Sequence, residues 1–245
     1  MYNLIKLLYK NFKYNFDYLK DFSYFLLKSF NLKKDKKYGF DKDLFTVDQL
    51  GNPNPVKVTE YYGFINDPAA AKRFGTSDLE EYSFWSWRSC GVANVVSILK
   101  TFNKYDGTLF DLVSELKTKE GYLFQDHYGN KDLGWKHFTL INTLESYGFK
   151  SKLLKRVTPY RVLLEILGGK VVIASVKSNL RFEGSHMIIV KGFSKTKKGL
   201  VLNIFSSYNL DGLGGNTTMP FKEFRRDFLR KGISVDFNSI PTNTI

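Results

Sequence analysis

The hydrophobic positions change character along the chain, from spacings of three and four in the first two thirds to unbroken apolar runs in the last. Ile5, Leu8, Phe12, Phe16, Leu19, Phe22, Leu26 and Phe30 recur at three and four, which predicts a helix or helical pair with a single apolar stripe. Lys6, Lys10, Lys13, Asp17, Lys20 and Lys28 fall off that stripe, and NLKKDKK (31–37) reads as a solvated hinge. Residues 38–79 are poorly periodic: NPNP (52–55) and NDP (66–68) mark turns, and AAAKRFG gives at most a short helix ending at Gly75. The expected organisation is therefore a basic amphipathic arm over 1–37, an irregular lead-in over 38–79 and a domain over 80–245.

Within that domain Val92, Val96, Leu99 and Phe102 form one helical face. LFDLVSELKTK (109–119) and HFTLINTLESYGF (137–149) predict two more helices, the second stopping at Gly148, and 159–168 a short one closed by two glycines. KVVIASV (170–176), HMIIVKGF (186–193) and LVLNIF (200–205) are β-rich runs between turn-prone charged loops. PFKEFRRDFLRKGI (220–233) reads as a closing helix with Phe221, Phe224 and Phe228 inward, and SVDF as an edge strand. Helices first and an antiparallel sheet afterwards predict an α+β domain.

Composition narrows this picture. A hydrophobic fraction of 43% with 16% aromatics is enough for a packed core and excludes wholesale disorder. No run reaches the ~18 apolar residues of a membrane span, and lysines interrupt the first segment where a secretory signal needs an unbroken stretch. The expected location is cytoplasmic or peripheral to a membrane. The net charge of +13 comes without zinc-finger spacing, an RNP-type aromatic motif or an arginine cluster, so no nucleic-acid partner is expected. Its concentration is local: residues 1–37 hold nine lysines and three aspartates, +6 of the total. That arm either packs on its own domain or lies in a membrane interface with its lysines toward anionic headgroups. Three histidines without ligand spacing and one cysteine give no metal template, and GLGGN (212–216) lacks the lysine–serine ending of a phosphate cradle, so neither metal nor cofactor is expected.

The single cysteine sits in SFWSWRSCGVANVVSILK (83–100), where the helical pattern begins. Free cysteines are among the most buried residue types, so filler and nucleophile are both open. A helix N-terminus favours thiolate and aims amides at a developing oxyanion. Gly91 removes a side chain where a substrate backbone would approach. A nucleophile needs a base, and the candidates are His127 in a polar loop, His137 at the start of a helix and His186 opening a strand.

WRSCGVANVVSILK, GWKHFTLINTLESYGF, KVVIASVKSNLRFEGSHMIIVKGF and FKEFRRDFLRKGI follow one another in an order that resembles the papain-like cysteine peptidases, in the branch of double-glycine-leader, bacteriocin-processing peptidases. The resemblance covers residues 80–235. It implies a papain-like fold, a peptide or protein substrate, Cys90 as nucleophile and His186, preceded by Ser185, as general base and later acid. Trp135 and His137 of GWKH would shape the cleft. The family usually carries a glutamine a few residues before the cysteine to help hold the oxyanion, and EYSFWSWRS has none; the Cys90 N–H then acts alone, or Arg88 or an indole of Trp85 or Trp87 substitutes. The residue that orients the histidine usually ends the next strand as Asp or Asn, and LVLNIFSSYN offers Asn203 or Ser206. The competing expectation is a catalytically weak or inactive papain-like domain that binds peptides, with the basic arm docking on an anionic membrane or partner.

Overall fold

A computed structural model describes residues 2–58, 60, 62–125, 131–177, 185–209 and 214–239; His127 and part of the GLGGN loop lie outside these. In chain order the elements are α1 (Tyr2–Ser29), β1 (Lys37–Gly39), α2 (Pro68–Phe74), α3 (Leu79–Ser86), α4 (Cys90–Thr101), α5 (Leu109–Thr118), β2 (Tyr122–Gln125), β3 (Lys131–Trp135) and α6 (His137–Ser146). They continue as β4 (Lys150–Lys155), α7 (Pro159–Leu167), β5 (Lys170–Lys177), β6 (Ser185–Thr196), β7 (Gly199–Ser206), β8 (Gly215–Pro220), α8 (Phe221–Asp227) and β9 (Phe228–Asp236). The α+β class is the one the pattern predicts.

The main sheet runs β4-β9-β5-β6-β7-β8, antiparallel throughout, with β1 added on β6; β2 and β3 form a separate hairpin. Both faces of the sheet are covered, which is why its strands read as continuous apolar runs rather than alternating ones. Val171, Ile173, Ile189, Phe205, Ile233 and Val235 face the core shared with α4, α5 and α6. Val172, Ala174, Ile188, Val190, Leu202 and Ile204 face a second core with α7, α8 and Phe25 of α1. The lead-in 38–79 supplies Leu44, Leu50, Ile65, Ala71 and Phe74 to the first core, although its turns break any periodicity.

The chain departs from its pattern at the C-terminal end. The closing helix stops at Asp227, and from Phe228 the backbone is extended (φ −65°, ψ 122°). The strand it enters is not an edge: β9 lies between β4 and β5. Ile233 and Val235 oppose Ile173 and Val171 there, and a Cβ on Gly232 would stand 2.5 Å from the Ile173 carbonyl oxygen. Burial against two neighbours overrides the local helical spacing of the phenylalanines.

α7 is pinned under the sheet by one carboxylate. Glu165 is buried and accepts from Ser234 Oγ (2.9 Å), with Lys152 Nζ at 3.1 Å, Arg161 Nη2 at 2.8 Å and Lys170 Nζ at 3.6 Å. Burial pushes its pKa up, but Ser234 and the cations outweigh that and hold the carboxyl below its usual range. A folded pKa below the unfolded one contributes stability that is present at neutral pH and lost as acid protonates the folded carboxylate. Glu165→Gln, read by thermal unfolding, is expected to cost about 1–3 kcal/mol at neutral pH, with the gap to wild type closing once the pH falls below the usual carboxylate range. A constant gap across that range would contradict this account.

Candidate active site

Cys90 opens α4, whose Val92, Val95, Val96 and Leu99 are fully buried in the first core. Apolar residues on nearly every side of this helix are what drive it to the centre of the molecule. Ser89 holds the N-cap position, yet its hydroxyl donates to the Trp85 carbonyl (2.6 Å) instead of capping α4. The first amides of the helix are thereby left for the thiol, and those of Cys90 and Gly91 both bear on it.

The helix meets β6 where β7 stops. Ser206, the last residue of β7, pairs with Ile188; one position further, α4 takes over from the missing strand. Asn94, one turn after Cys90, donates Nδ2 to the Met187 carbonyl (2.8 Å), and the Met187 amide bears on the Cys90 thiol. One side chain, a helical turn after the cysteine, thus takes up the open strand carbonyl. Gly91 makes this approach feasible: a Cβ there would lie 3.0 Å from Leu140 Cδ1 and 3.1 Å from Met187 Sδ. The space over Gly91 is filled by α6 and β6, so the absent side chain serves helix packing and leaves no room there for a substrate backbone.

His186 is the residue immediately before that amide. Its Nε2 lies 3.2 Å from Ser206 Oγ, which also accepts from the Tyr208 N–H at 3.4 Å. Asn203 sits opposite Gly192, six residues along β6 from His186, or roughly 20 Å at strand rise. Of the two candidates for orienting the imidazole, only Ser206 is in reach. The His186 ring lies 6.4 Å, centroid to centroid, from that of Tyr208, and Tyr208 and Met187 both belong to the first core, which α4 shares. Among the described residues no hydrogen bond joins the Cys90 sulfur to the His186 ring.

His137 approaches from the other flank, at the start of α6, with Nε2 3.3 Å from Ser175 Oγ. Trp135 donates Nε1 to the Arg88 carbonyl (2.8 Å), which ties the β2–β3 hairpin to the segment just before the cysteine. The Trp85 ring packs on Trp135 at 5.7 Å between centroids. Trp87 and Arg88 turn toward α3 and its surroundings. The Trp87 indole N–H is taken by the Gly63 carbonyl (2.9 Å), while the Arg88 guanidinium stacks on Phe84 and Tyr62 and donates to the Phe84 carbonyl. Ser185 is exposed at the first position of β6.

Electrostatically the site is neutral at rest. Burial pushes the Cys90 thiol above its ordinary pKa, against the opposing pull of the Met187, Gly91 and Cys90 amides. Burial also lowers His186 to about 4, and His137 likewise to about 4, there with help from Lys231. The arrangement holds a protonated thiol at the start of α4 and an uncharged imidazole on β6.

Two residues with no standing in the sequence pattern complete the geometry. Buried Gln49 donates Nε2 to the Ser86 carbonyl (3.3 Å) and accepts from Ser207 Oγ (3.0 Å), bridging the approach to Cys90 and the strand end carrying Ser206. Asn94 left a signal, since it is the one amide side chain within an apolar helix, four residues after the cysteine. Its Oδ1 is buried and without a partner among the described residues.

No family model matches the chain, and no curated protein sequence does. Solved structures do match. One is a double-glycine-motif protease from an AMS/PCAT transporter in complex with its leader peptide: 17% identity, 60% of this chain, 84% of that one, TM-score 0.39. A second is the peptidase domain of Streptococcus ComA, a bifunctional ABC transporter involved in quorum sensing: 15% identity, 61% and 91% coverage, TM-score 0.41. A third is a C39-like peptidase from Bacillus anthracis: 13% identity, 62% and 90% coverage, TM-score 0.45. The chain is similar in structure, at low identity, to peptidase domains that include a double-glycine-motif one.

Proposed function

We propose that the chain is a papain-like thiol hydrolase that cleaves a peptide or related amide bond. The observation that carries this is the convergence at the end of β7: the Cys90 thiol at the Met187 amide, His186 one residue away, and Ser206 Oγ 3.2 Å from His186 Nε2. With Nε2–H donating to Ser206, Nδ1 keeps the lone pair that accepts the thiol proton as sulfur bonds to the substrate carbonyl carbon. The Cys90 N–H at the helix N-terminus faces the developing oxyanion. The imidazolium then returns its proton to the leaving amine, the C–N bond breaks, and water hydrolyses the thioester with His186 again as base. Neutral groups at rest suit this order, because the base removes the proton during attack rather than beforehand.

A second reading has its own observation. The unbonded Sγ–imidazole pair and the raised thiol pKa favour a domain that binds peptides and cleaves them weakly or not at all. One experiment separates the two. Peptides with Gly-Gly before the scissile bond are the first substrates to offer, since one structure of similar shape is a double-glycine-motif protease with its leader peptide. Mass spectrometry of the products is expected to show cleavage by wild type and none by Cys90→Ala. His186→Ala is expected to lose about 10²–10⁴-fold and Ser206→Ala about two- to tenfold, with Asn203→Ala unchanged. Binding without cleavage in every variant would establish the second reading, and an Asn203→Ala loss matching that of His186→Ala would overturn the assignment of Ser206.

The resting charge state is checked separately by iodoacetamide, which reads thiolate. Because burial raises the thiol pKa and lowers that of His186, alkylation is expected to rise monotonically through the ordinary thiol range without a plateau at acidic pH. His186→Ala should leave that profile in place. A low-pH plateau in wild type that vanishes in His186→Ala would mean a preformed ion pair and would contradict the neutral site.

A further inference from the structure

The helix α1 packs on the domain with a different face from the one its periodicity picks out. Tyr18 and Phe25 meet Tyr160 at 5.3 and 5.8 Å, Phe25 also meets Phe193 at 6.0 Å, and Asp21 accepts from Thr158 Oγ1 at 2.7 Å. From Phe12 onward most of the predicted stripe looks outward, and Leu27 joins it. Phe12 is 71% exposed, Phe16 61%, Leu19 61%, Leu27 66% and Phe30 77%. At 3.6 residues per turn, these and Leu26 fall within an arc of about 100°. Phe22, in contact with Tyr160 at 5.0 Å, marks one border of the arc, and Lys13 and Lys20 line the other. The helix has two apolar faces, and the domain covers only one.

Charge says what covers the second. The cations near α1 come from both the helix and the domain. Lys13 and Lys20 border the outward arc itself, while on the domain-facing side, where Tyr14 lies against Tyr18, the Arg230 guanidinium stacks over Tyr14, 3.3 Å from the ring centroid. Past its C-terminal end, Asp35 N–H donates to the Lys195 carbonyl (2.8 Å), bringing the lysines of 33–37 to the β6–β7 hairpin with Lys195, Lys197 and Lys198. A second copy of this chain would bring +13 against +13, whereas an anionic surface is attracted to both clusters. No described helix is long and apolar enough to cross a membrane.

We propose that α1 is a membrane-docking element, its outward phenylalanines and leucines inserted at the headgroup boundary of an anionic bilayer and the flanking lysines on the phosphates. This is independent of whether Cys90 is catalytic. The outward side chains are exposed, so they can be changed without opening the core.

The test is co-sedimentation of the full chain with phosphatidylcholine vesicles, with and without phosphatidylglycerol, at low and high salt. Binding is expected only with phosphatidylglycerol and to weaken with salt. Phe12→Ser/Phe16→Ser and Lys13→Glu/Lys20→Glu are each expected to reduce the bound fraction about tenfold with thermal unfolding unchanged. Failure to sediment with any vesicle, or wild-type binding by Phe12→Ser/Phe16→Ser, would overturn the proposal. So would self-association on a sizing column that this variant abolishes in the absence of vesicle binding, which would assign the face to a second copy.

Discussion

One strand peptide, that of Met187, sets the geometry of the candidate site. It lies on β6 just beyond the end of β7, and Asn94 of α4 takes its carbonyl in place of a strand. That bond ties the first turns of α4, and with them Cys90, to one place over the sheet. The constraint works only if the helix comes close, and Gly91, with Leu140 and Met187 against it, is the condition for that closeness. Shortening or lengthening β7 by one residue would change which β6 peptide is left open, and with it the position of the cysteine.

The same closeness decides the charge state. The N-terminus of a helix stabilises an anion by about 0.3–1 kcal/mol, up to ~2 in favourable buried geometry, which is roughly 1.5 pKa units at most. Burial opposes it with up to ~3–5 units for a fully enclosed group. The second term wins for Cys90, whose pKa is raised despite three amides pulling the other way. A helix dipole behind a cysteine is therefore poor evidence of a preformed thiolate when the packing that places the cysteine also dries it. Any chemistry at Cys90 would then depend on a base that takes its proton during attack.

Much of the fold was legible because local periodicity and burial agree there. The α4, α5, α6 and α7 segments and the β5, β6 and β7 runs stand where the pattern puts them, whereas the choice of His186 among three histidines came from the family resemblance rather than from local spacing. The failures share a cause. Phe221, Phe224 and Phe228 keep helical spacing into a segment that β4 and β5 claim as a central strand, and no local window contains those partners. Ser206 and Asn203 are not separable by spacing because the β6–β7 register shifts between Val190 and Gly192, so counting residues from His186 misplaces the opposite position. Gln49 bridges Ser86 and Ser207 from a segment with no periodicity at all. In α1 the spacing marks a hydrophobic stripe, but a stripe specifies what avoids water, not which partner removes it.

That last distinction organises the molecule. α4 with Cys90 lies on one face of the sheet, and α7 with α1 stacked on it lies on the other. A surface covering the outward face of α1 would therefore be separated from α4 by α1, α7 and the sheet itself, with helix and sheet layers each about 10 Å apart. Docking and peptide access would not compete for the same side. If the outward face of α1 is the docking side, the arm and the cysteine helix would occupy opposite layers of one domain, with the sheet between them.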